Sequence, residues 1–544
     1  MTTIINTKLG EKGNAKRIWL EGTKLAREGY QPGQKYDLEL KDSEVVIRVN
    51  ESGKYIVSKR TRKGVTKPII DITSQQLAEL FQGVETVRVL IRKETIVISA
   101  HHQHAQVKER LERFINKIET GQPLTVCSLF HGGGVLDKAI HSGLKRAGIP
   151  STISVAVEME PKYLDASLRN NRELWNDRSI VIESEIQAID LKRNPPLVEI
   201  CVAGIPCEGA SPAGRSRNKT WGDNTGGYAE SHASSGALFF NFLQFIDAVQ
   251  PMVIVLENVG QYSSSASMEV FRSVLASWGY NVQETILDGN VFGVLERRKR
   301  LCVVATTDGF DMFDINNVIP LRKKEQTISE ILEPIPLDSP IWREFTYLKE
   351  KMKADMEKGN GFKRQLLTGD AEYLGTIGKS YQKARSTEPF ILHPENPELS
   401  RLLTPLEHCR VKGVPPSIID NESDTVAHEI LGQGIVFPAF EAVAYALGKS
   451  CWESVNKKLV QIEVVDIDQC IIGGGNFHWV PAIIEPTGIL KLTPTAESWG
   501  MPIHVDDGVV RIASTSGTDL SCSHEPCETL PVTTAGNQIR LLAA

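Results

Sequence analysis

LTVCSLFHGGGVLDKAI, Leu124 to Ile140, reads as a buried strand that stops in a glycine turn and resumes as a helix. The first seven residues are almost wholly apolar, as a strand covered on both faces of a parallel sheet must be. The glycines let the backbone approach a ligand. The helix that follows, expected from Leu136 to Ala147, offers free N–H groups at its start. The same rhythm continues downstream. TISVAVEME is another strand, LVEICVAGIP and MVIVLENV are continuous apolar strands ending in polar residues, and RLCVVATT is one more. Strands alternating with helices over residues 123–310 argue for an α/β fold, a doubly wound parallel sheet of Rossmann-like type.

The flanks read differently. Residues 1–105 form a β-rich module: IWL, YDLEL, VVIRV, KYIVSK, TVRVLI and TIVISA alternate in polarity, with turn signals such as NESGKY between them. A helical linker is expected over 106–122, where Leu111, Phe114 and Ile118 recur at helical spacing and Gly121 is a stop. Residues 311–400 break the strand–helix rhythm and suggest an inserted small domain. Apolar helical character returns within 401–456, and 457–544 read as a further β-rich module.

Composition sets the limits. At 544 residues several domains are expected. With 41% hydrophobic and 24% charged residues the chain is ordinary for a soluble protein. No apolar run approaches the roughly 18 residues of a membrane span, and no signal peptide is evident, so a cytoplasmic location without membrane attachment is expected. The nine cysteines are scattered and read as reduced thiols. The net charge of −6 hides an asymmetry: residues 1–120 carry 22 Lys and Arg against 15 Asp and Glu, and residues 461–544 hold ten acidic and three basic side chains. A nucleic-acid-facing head would give this pattern, and so would ordinary variation between domains.

Several side chains stand out by position. Glu158 and Met159 end a strand, at the place where doubly wound folds hold ribose, and Glu185 precedes the next hydrophobic turn. Two acids and an apolar residue between them could hold ribose and adenine; a solvated strand end is the plain alternative. Cys207 lies just past an apolar strand and opens a polar, glycine-containing loop. Cys127, Cys201 and Cys302 sit inside apolar strands and read as small buried hydrophobes. Glu257 tops the otherwise apolar MVIVLENV, where desolvation favours a protonated acid. Arg297, Arg298, Lys299 and Arg300 form a basic cluster suited to a solvated face or to phosphate. Cys522 and Cys527, even with Cys470 or His504, do not have the spacing of a zinc finger, and no metal is expected.

Taken in order, these segments resemble the DNA (cytosine-5) methyltransferase family. SLFHGGG is similar to its DLFxGxGG motif through Phe130, Gly132 and Gly134. PCEGASPAG resembles its Pro-Cys-Gln motif, LENV its Glu-Asn-Val motif, and ERRKR its Gln-x-Arg-x-Arg motif. RLLTPLEHCRVKGVP, Arg401 to Pro415, is similar to RxLTxxExxRLQGFP, and LGQGIVFPAFEAVAYAL to the family's final loop and helix. The resemblance spans about residues 123–450. It implies an S-adenosyl-L-methionine-dependent enzyme acting on double-stranded DNA, with Cys207 as nucleophile, Glu257 as proton donor, and Arg298 and Arg300 as catalytic arginines, Arg298 orienting Glu257. It places Phe130, Gly132, Gly134, Glu158, Met159, Glu185, Pro206, Gln433 and Val436 at the cofactor, and Ser211, Arg215, Arg401, Thr404 and Arg410 at the nucleic acid. It makes residues 311–400 the target recognition domain, and implies a restriction–modification setting, with a cognate restriction endonuclease, or an orphan enzyme. The sequence departs from the pattern at Ser128 (usually Asp), Glu208 (Gln), Leu295 and Glu296 (Pro-Gln) and Gln433 (Asn).

The N-terminal segment resembles SymE-like members of the AbrB-type β-barrel family, which implies nucleic-acid binding through the basic turn at Lys59, Arg60, Arg62 and Lys63, and self-association. An RNA (cytosine-5) methyltransferase has the same motif order but is usually more compact. A catalytically dead DNA-binding regulator is disfavoured by the intact Cys207, Glu257 and Arg298. A Rossmann oxidoreductase does not explain the PCEG loop.

Overall fold

The glycine turn lies at the middle of a seven-stranded sheet. In chain order its strands are β1 (Leu124–Leu129), β2 (Ser151–Glu158), β3 (Ile180–Glu183), β4 (Ile200–Gly204), β5 (Val253–Asn258), β6 (Tyr280–Asp288) and β7 (Lys299–Thr307), laid side by side as β3-β2-β1-β4-β5-β7-β6. The computed structural model describes residues 1–41, 44–193, 195–206, 236–359 and 363–455, and the backbone of six strands between Lys458 and Arg540. It divides into two units, Met1–Glu109 and Arg110–Ala544.

β1 to β5 are parallel. The chain winds outward from β1 to β3, then returns to β4 and winds the other way. The strand order therefore reverses between β1 and β4, and open α/β sheets bind ligands outside the carboxyl ends of the strands at such a point. The glycine turn and the Ile205–Pro206 segment both leave the sheet at that place.

One expectation is corrected, and two strands appear that the sequence did not signal. The strand RLCVVATT, expected to be parallel, is β7 and runs antiparallel to β5 and β6. The link Gly289–Arg298 between β6 and β7 is shorter than the dozen or so residues a parallel crossover needs. β3 and β6 had no clear signal in the sequence. They are the edge strands of the sheet and keep polar, part-exposed positions.

The inner strands are apolar throughout because successive residues enter different cores. Val126, Val202, Val255 and Val304 join one core with helices α1 (Val135–Arg146) and α7 (Phe437–Ser454). Cys127, Cys201, Ile254 and Val303 join the other with α3 (Leu238–Val249) and α4 (Ala266–Ser277). The helix His102–Thr120, expected as a linker, belongs to the second unit from Arg110 onward and buries Phe114 and Ile118. Its Arg110 is 1% exposed, yet its guanidinium is satisfied: Nε donates to Thr307 Oγ1, Nη1 to Gln250 Oε1 and Nη2 to the Trp278 carbonyl, and the group lies 4.1 Å over the Tyr280 ring.

Between β7 and α5 (Pro405–Lys412) the chain forms short turns, a helix at Thr346–Glu357 and a three-stranded sheet of Gln365–Leu367, Pro389–Leu392 and Ser400–Arg401. Ile328, Trp342, Leu374, Ile377, Tyr381 and Ile391 make a small core there with Leu295, Leu403 and Val411. Helix α6 (Asp424–Gln433) follows α5. The strands after Lys458 form a further six-stranded sheet. No single helix among the described residues is long and apolar enough to cross a membrane.

The N-terminal unit consists of a six-stranded and a four-stranded antiparallel sheet around Ile18, Leu20, Val45, Ile47, Ile70, Phe81, Val89, Ile91 and Ile96. Ser58–Arg62 and Val65–Ser74 form a hairpin closed by Lys63 and Gly64, both with positive φ (48° and 76°), which matches the twist of paired strands. Residues 58–67 are all exposed, and Lys59, Arg60, Arg62, Lys63 and Lys67 are among them.

Candidate active site

The turn after β1 is strained and heavily braced. Phe130 has φ +58°, beside Gly132 at +57° and Gly134 at +75°. A bulky residue in the left-handed region is uncommon and costs about 1–3 kcal/mol, and such strain clusters at functional sites. The Glu158 carboxylate, from the end of β2, accepts the N–H of Gly132 at 2.7 Å and those of Met159 and Glu160 at 3.0 and 2.9 Å. His131 lies between two hydroxyls, Ser128 Oγ at 2.9 Å and Ser167 Oγ at 2.8 Å, with an Asp137 carboxylate oxygen 3.0 Å from its Nδ1. Asn171 Nδ2 donates to the Gly133 carbonyl at 3.2 Å. A side chain at position 134 would meet Ser167 Oγ at 2.5 Å and Asn171 Nδ2 at 2.8 Å, so only glycine fits. Sequence reasoning missed His131, Ser167 and Asn171 as braces. The one available signal was the four-residue spacing of Ser167 and Asn171, which puts both on one face of α2 (Pro161–Asn170) and its cap.

Groups suited to a ligand surround this turn. Met159 is 56% exposed, and Glu185 is exposed just beyond β3. Gln433, at the end of α6, approaches Gly132: a Cβ there would lie 3.6 Å from Gln433 Nε2. That nitrogen is buried and has no hydrogen-bond partner among the described residues. Val436, expected at the cofactor, is 2% exposed and in contact range of position 289. It caps α7, and the cap turns it inward.

The other half of the site forms where β4 and β5 end together. Gly204 is in register with Glu257, and a Cβ on Gly204 would lie 3.5 Å from Glu257 Oε2. Asn258 Nδ2 donates to the Ile205 carbonyl at 3.2 Å, fixing the path of the chain into Pro206. Arg300 Nε lies 2.9 Å from Glu257 Oε1, and both side chains are about 15% exposed (15% and 14%). Antiparallel pairing explains the contact. Glu257 faces Cys302 across the β5–β7 ladder, and Arg300, two residues from Cys302, projects from the same face.

The profile of the C-5 cytosine-specific DNA methylase family matches residues 124–449, from the first residue of β1 into α7. The chain belongs to that family. This methylase is 29% identical over 256 residues to the Type II methyltransferase M.NlaX of Neisseria lactamica, across 45% of this chain and 74% of the relative. It is 25% identical over 284 residues to M.DsaV of Dactylococcopsis salina, across 51% and 75%. Among solved structures, the S. pombe Dnmt2 methyltransferase aligns with a TM-score of 0.45 at 19% identity, covering 62% of this chain and all of that one (100%).

Several motif residues of the methylase take other places than their motifs implied. Arg298, expected to orient Glu257, is not the arginine on it; Arg300 is. Arg298 lies before the first residue of β7, is 4% exposed, and donates to the carbonyls of Ile377 (3.2 Å) and Gly432 (3.3 Å). Arg401, expected at nucleic acid, is 2% exposed and forms a two-point pair with Glu407, at 2.6 and 2.8 Å, under the Trp342 ring. Thr404 caps α5: its hydroxyl accepts the Glu407 N–H at 3.1 Å and donates to Glu333. Arg410 is part-buried and donates to the Ile331 carbonyl. These three side chains hold α5 in place. Lys59 and Arg60 are on the exposed N-terminal hairpin, with Arg60 3.3 Å from Glu21. Cys207, Ser211, Arg215, Cys470, Cys522 and Cys527 lie outside the described residues, as does the side chain of His504.

Proposed function

We propose that this chain transfers a methyl group from S-adenosylmethionine to carbon 5 of a cytosine flipped out of duplex DNA. Cys207 is the nucleophile, Glu257 the proton donor and Arg300 the group that holds Glu257. One observation carries the reading: Gly204 stands in register with Glu257, Arg300 clamps that carboxylate at 2.9 Å, and the chain continues from Gly204 through Ile205 and Pro206 into Cys207. A thiol and an acid delivered by adjacent strand ends suit addition to one ring position and protonation at another. The base must leave the stack to be reached, at a cost of a few kcal/mol.

The residues around the glycine turn fit the cofactor. Glu158 and Glu185 supply acceptors for ribose hydroxyls and an adenine amine, exposed Met159 supplies an apolar face for the ring, and the unpartnered Gln433 amide supplies a donor. When bound, S-adenosylmethionine supplies a methyl group on a sulfonium. Residues 311–400 read the target sequence, and the enzyme modifies DNA beside a restriction endonuclease or alone. Bisulfite sequencing of DNA from cells expressing the chain is expected to show protected cytosines at one short sequence. DNA converted at every cytosine would remove the proposal.

The N-terminal unit is assigned an accessory DNA-holding role through its exposed basic hairpin. Exchanging Lys59, Arg60, Arg62 and Lys63 together for Gln is expected to lower the slope of log affinity against log salt by about 2–4, since each phosphate contact contributes about 0.9. The sequence methylated should stay the same. An unchanged slope in a fluorescence-anisotropy titration would limit the unit to a packing or self-association role.

A further inference from the structure

Two departures from the family's motif patterns meet in the interior. Glu296 stands at the Gln of Gln-x-Arg-x-Arg, and Lys412 stands at the Gln of RxLTxxExxRLQGFP. The residues are 116 positions apart, both 0% exposed, and Lys412 Nζ lies 2.7 Å from Glu296 Oε2. Opposite charges have replaced both amides at two ends of one buried contact. The other carboxylate oxygen of Glu296 accepts the Ile377 N–H at 2.8 Å, and the Glu296 N–H donates to the Val411 carbonyl. Arg298 Nη1 lies 3.7 Å from Glu296 and donates to the Ile377 carbonyl, while Nη2 donates to the Gly432 carbonyl.

The contact joins the parts that must act together. Leu374 exchanges backbone hydrogen bonds with Leu295 and Arg297, so residues 374–378 run alongside the link that leads into β7 and Arg300. Gly378 in turn lies against Gly432: a Cβ at 432 would sit 2.2 Å from the Gly378 carbonyl oxygen. The next residue, Gln433, reaches toward Gly132 of the cofactor turn.

We infer that Glu296 and Lys412 form one buried ionic joint that positions the DNA-reading segment against the strand carrying Arg300. This rests on the reading of residues 311–400 as that segment. One carboxylate serves two cations. Burial would raise the Glu296 carboxyl, but Lys412 and Arg298 more than offset this and hold it below its usual value. Burial, then Arg298, pull the Lys412 ammonium down to about 7. Removing one partner of a buried pair strands the other charge, whereas replacing both by neutral groups need not harm. The loss should therefore be unequal. E296Q takes from Lys412 the carboxylate it pairs with and from Arg298 its neighbour at 3.7 Å, and K412Q leaves Glu296 still facing Arg298.

The test is a cycle of four full-length proteins: wild type, E296Q, K412Q and E296Q/K412Q. Each is measured for KM of duplex DNA, kcat, S-adenosylmethionine Kd by calorimetry, and melting temperature. E296Q is expected to raise KM for DNA about tenfold or more, K412Q about threefold, and the double variant to return to within about threefold of wild type. The S-adenosylmethionine Kd should stay within about twofold throughout, since the joint touches the cofactor turn only through Gln433. Losses that multiply in the double variant, or a KM for DNA unmoved by E296Q, would overturn the joint. If E296Q does not fold, the double variant decides: folded and active supports the joint, unfolded or inactive overturns it. If wild type methylates no DNA, the functional reading fails, and the melting temperatures still test the pair, with rescue in the double variant expected and additive losses overturning it.

Discussion

Serine in place of Cys207 is expected to abolish methyl transfer, with a loss of at least about a thousandfold in single-turnover rate, while the fold and the affinities for DNA and S-adenosylmethionine stay within about threefold. Carbon 5 of cytosine is a weak nucleophile. Addition of a thiolate to carbon 6 changes that: the new S–C6 bond pushes the ring electrons toward carbon 5 and N3, N3 takes a proton, and the enamine carbon 5 can accept a methyl group. Loss of the carbon 5 proton to a base then expels the thiolate, and N3 gives back its proton, which restores the ring. A serine hydroxyl is far less acidic than a thiol and is scarcely ionised near neutral pH, so the first step fails. A second measurement separates covalent chemistry from mere contact. With 5-fluorocytosine in the duplex the methylated adduct cannot lose fluorine as a cation, so wild type should remain attached to DNA through Cys207, visible as a denaturation-resistant band and by peptide mass. C207S should give no such band. Near-normal turnover by C207S would end the covalent mechanism, though not the family membership.

Most of the catalytic sheet was legible because its inner strands are buried on both faces and carry few polar residues, as in LTVCSLF and MVIVL. The edge strands β3 and β6 were not, because half-exposed strands keep polar residues. The direction of β7 was not legible either, and this error reached the site. Had β7 been parallel, the arginines before it would lie at the opposite end of the sheet from Glu257. Antiparallel pairing brings them to the same end, and Arg300, inside β7 and two residues from the partner of Glu257, reaches the acid, whereas Arg298 lies before the strand begins. A linear motif names both arginines and cannot say which one a strand presents to the acid. The same limit explains Arg401 and Thr404. In the sequence they are polar residues in a polar segment. In the structure Glu407 satisfies both, through a two-point ion pair and a helix cap. The braces of the glycine turn were hidden because a buried histidine between two serines has no pattern of its own until the fold brings residues 128, 131 and 167 together.

Glu257→Gln is expected to lower kcat by about a hundredfold or more, the usual worth of a positioned general acid, with both substrate affinities within about threefold. The substitution is close to isosteric. Its amide oxygen can stay where the Glu257 carboxylate oxygen now lies, 2.9 Å from Arg300 Nε, so the strand ends should keep their geometry. Only the ability to hand a proton to ring N3 is lost. Arg300→Lys should fall by a similar factor for another reason: a compact ammonium on a flexible stem cannot reproduce the planar contact that fixes the carboxylate. The decisive measurement is the double variant. Residues acting through one contact are strongly non-additive, so Glu257→Gln/Arg300→Lys should be scarcely slower than the worse single variant. Arg298→Lys gives the contrast. That guanidinium touches the carbonyls of Ile377 and Gly432 and not the acid, so its loss should act on the two KM values more than on kcat, and multiply with Glu257→Gln. If Arg298 and Glu257 proved non-additive instead, while Arg300 and Glu257 multiplied, the assignment of the two arginines made from the Arg300–Glu257 contact would have to be exchanged.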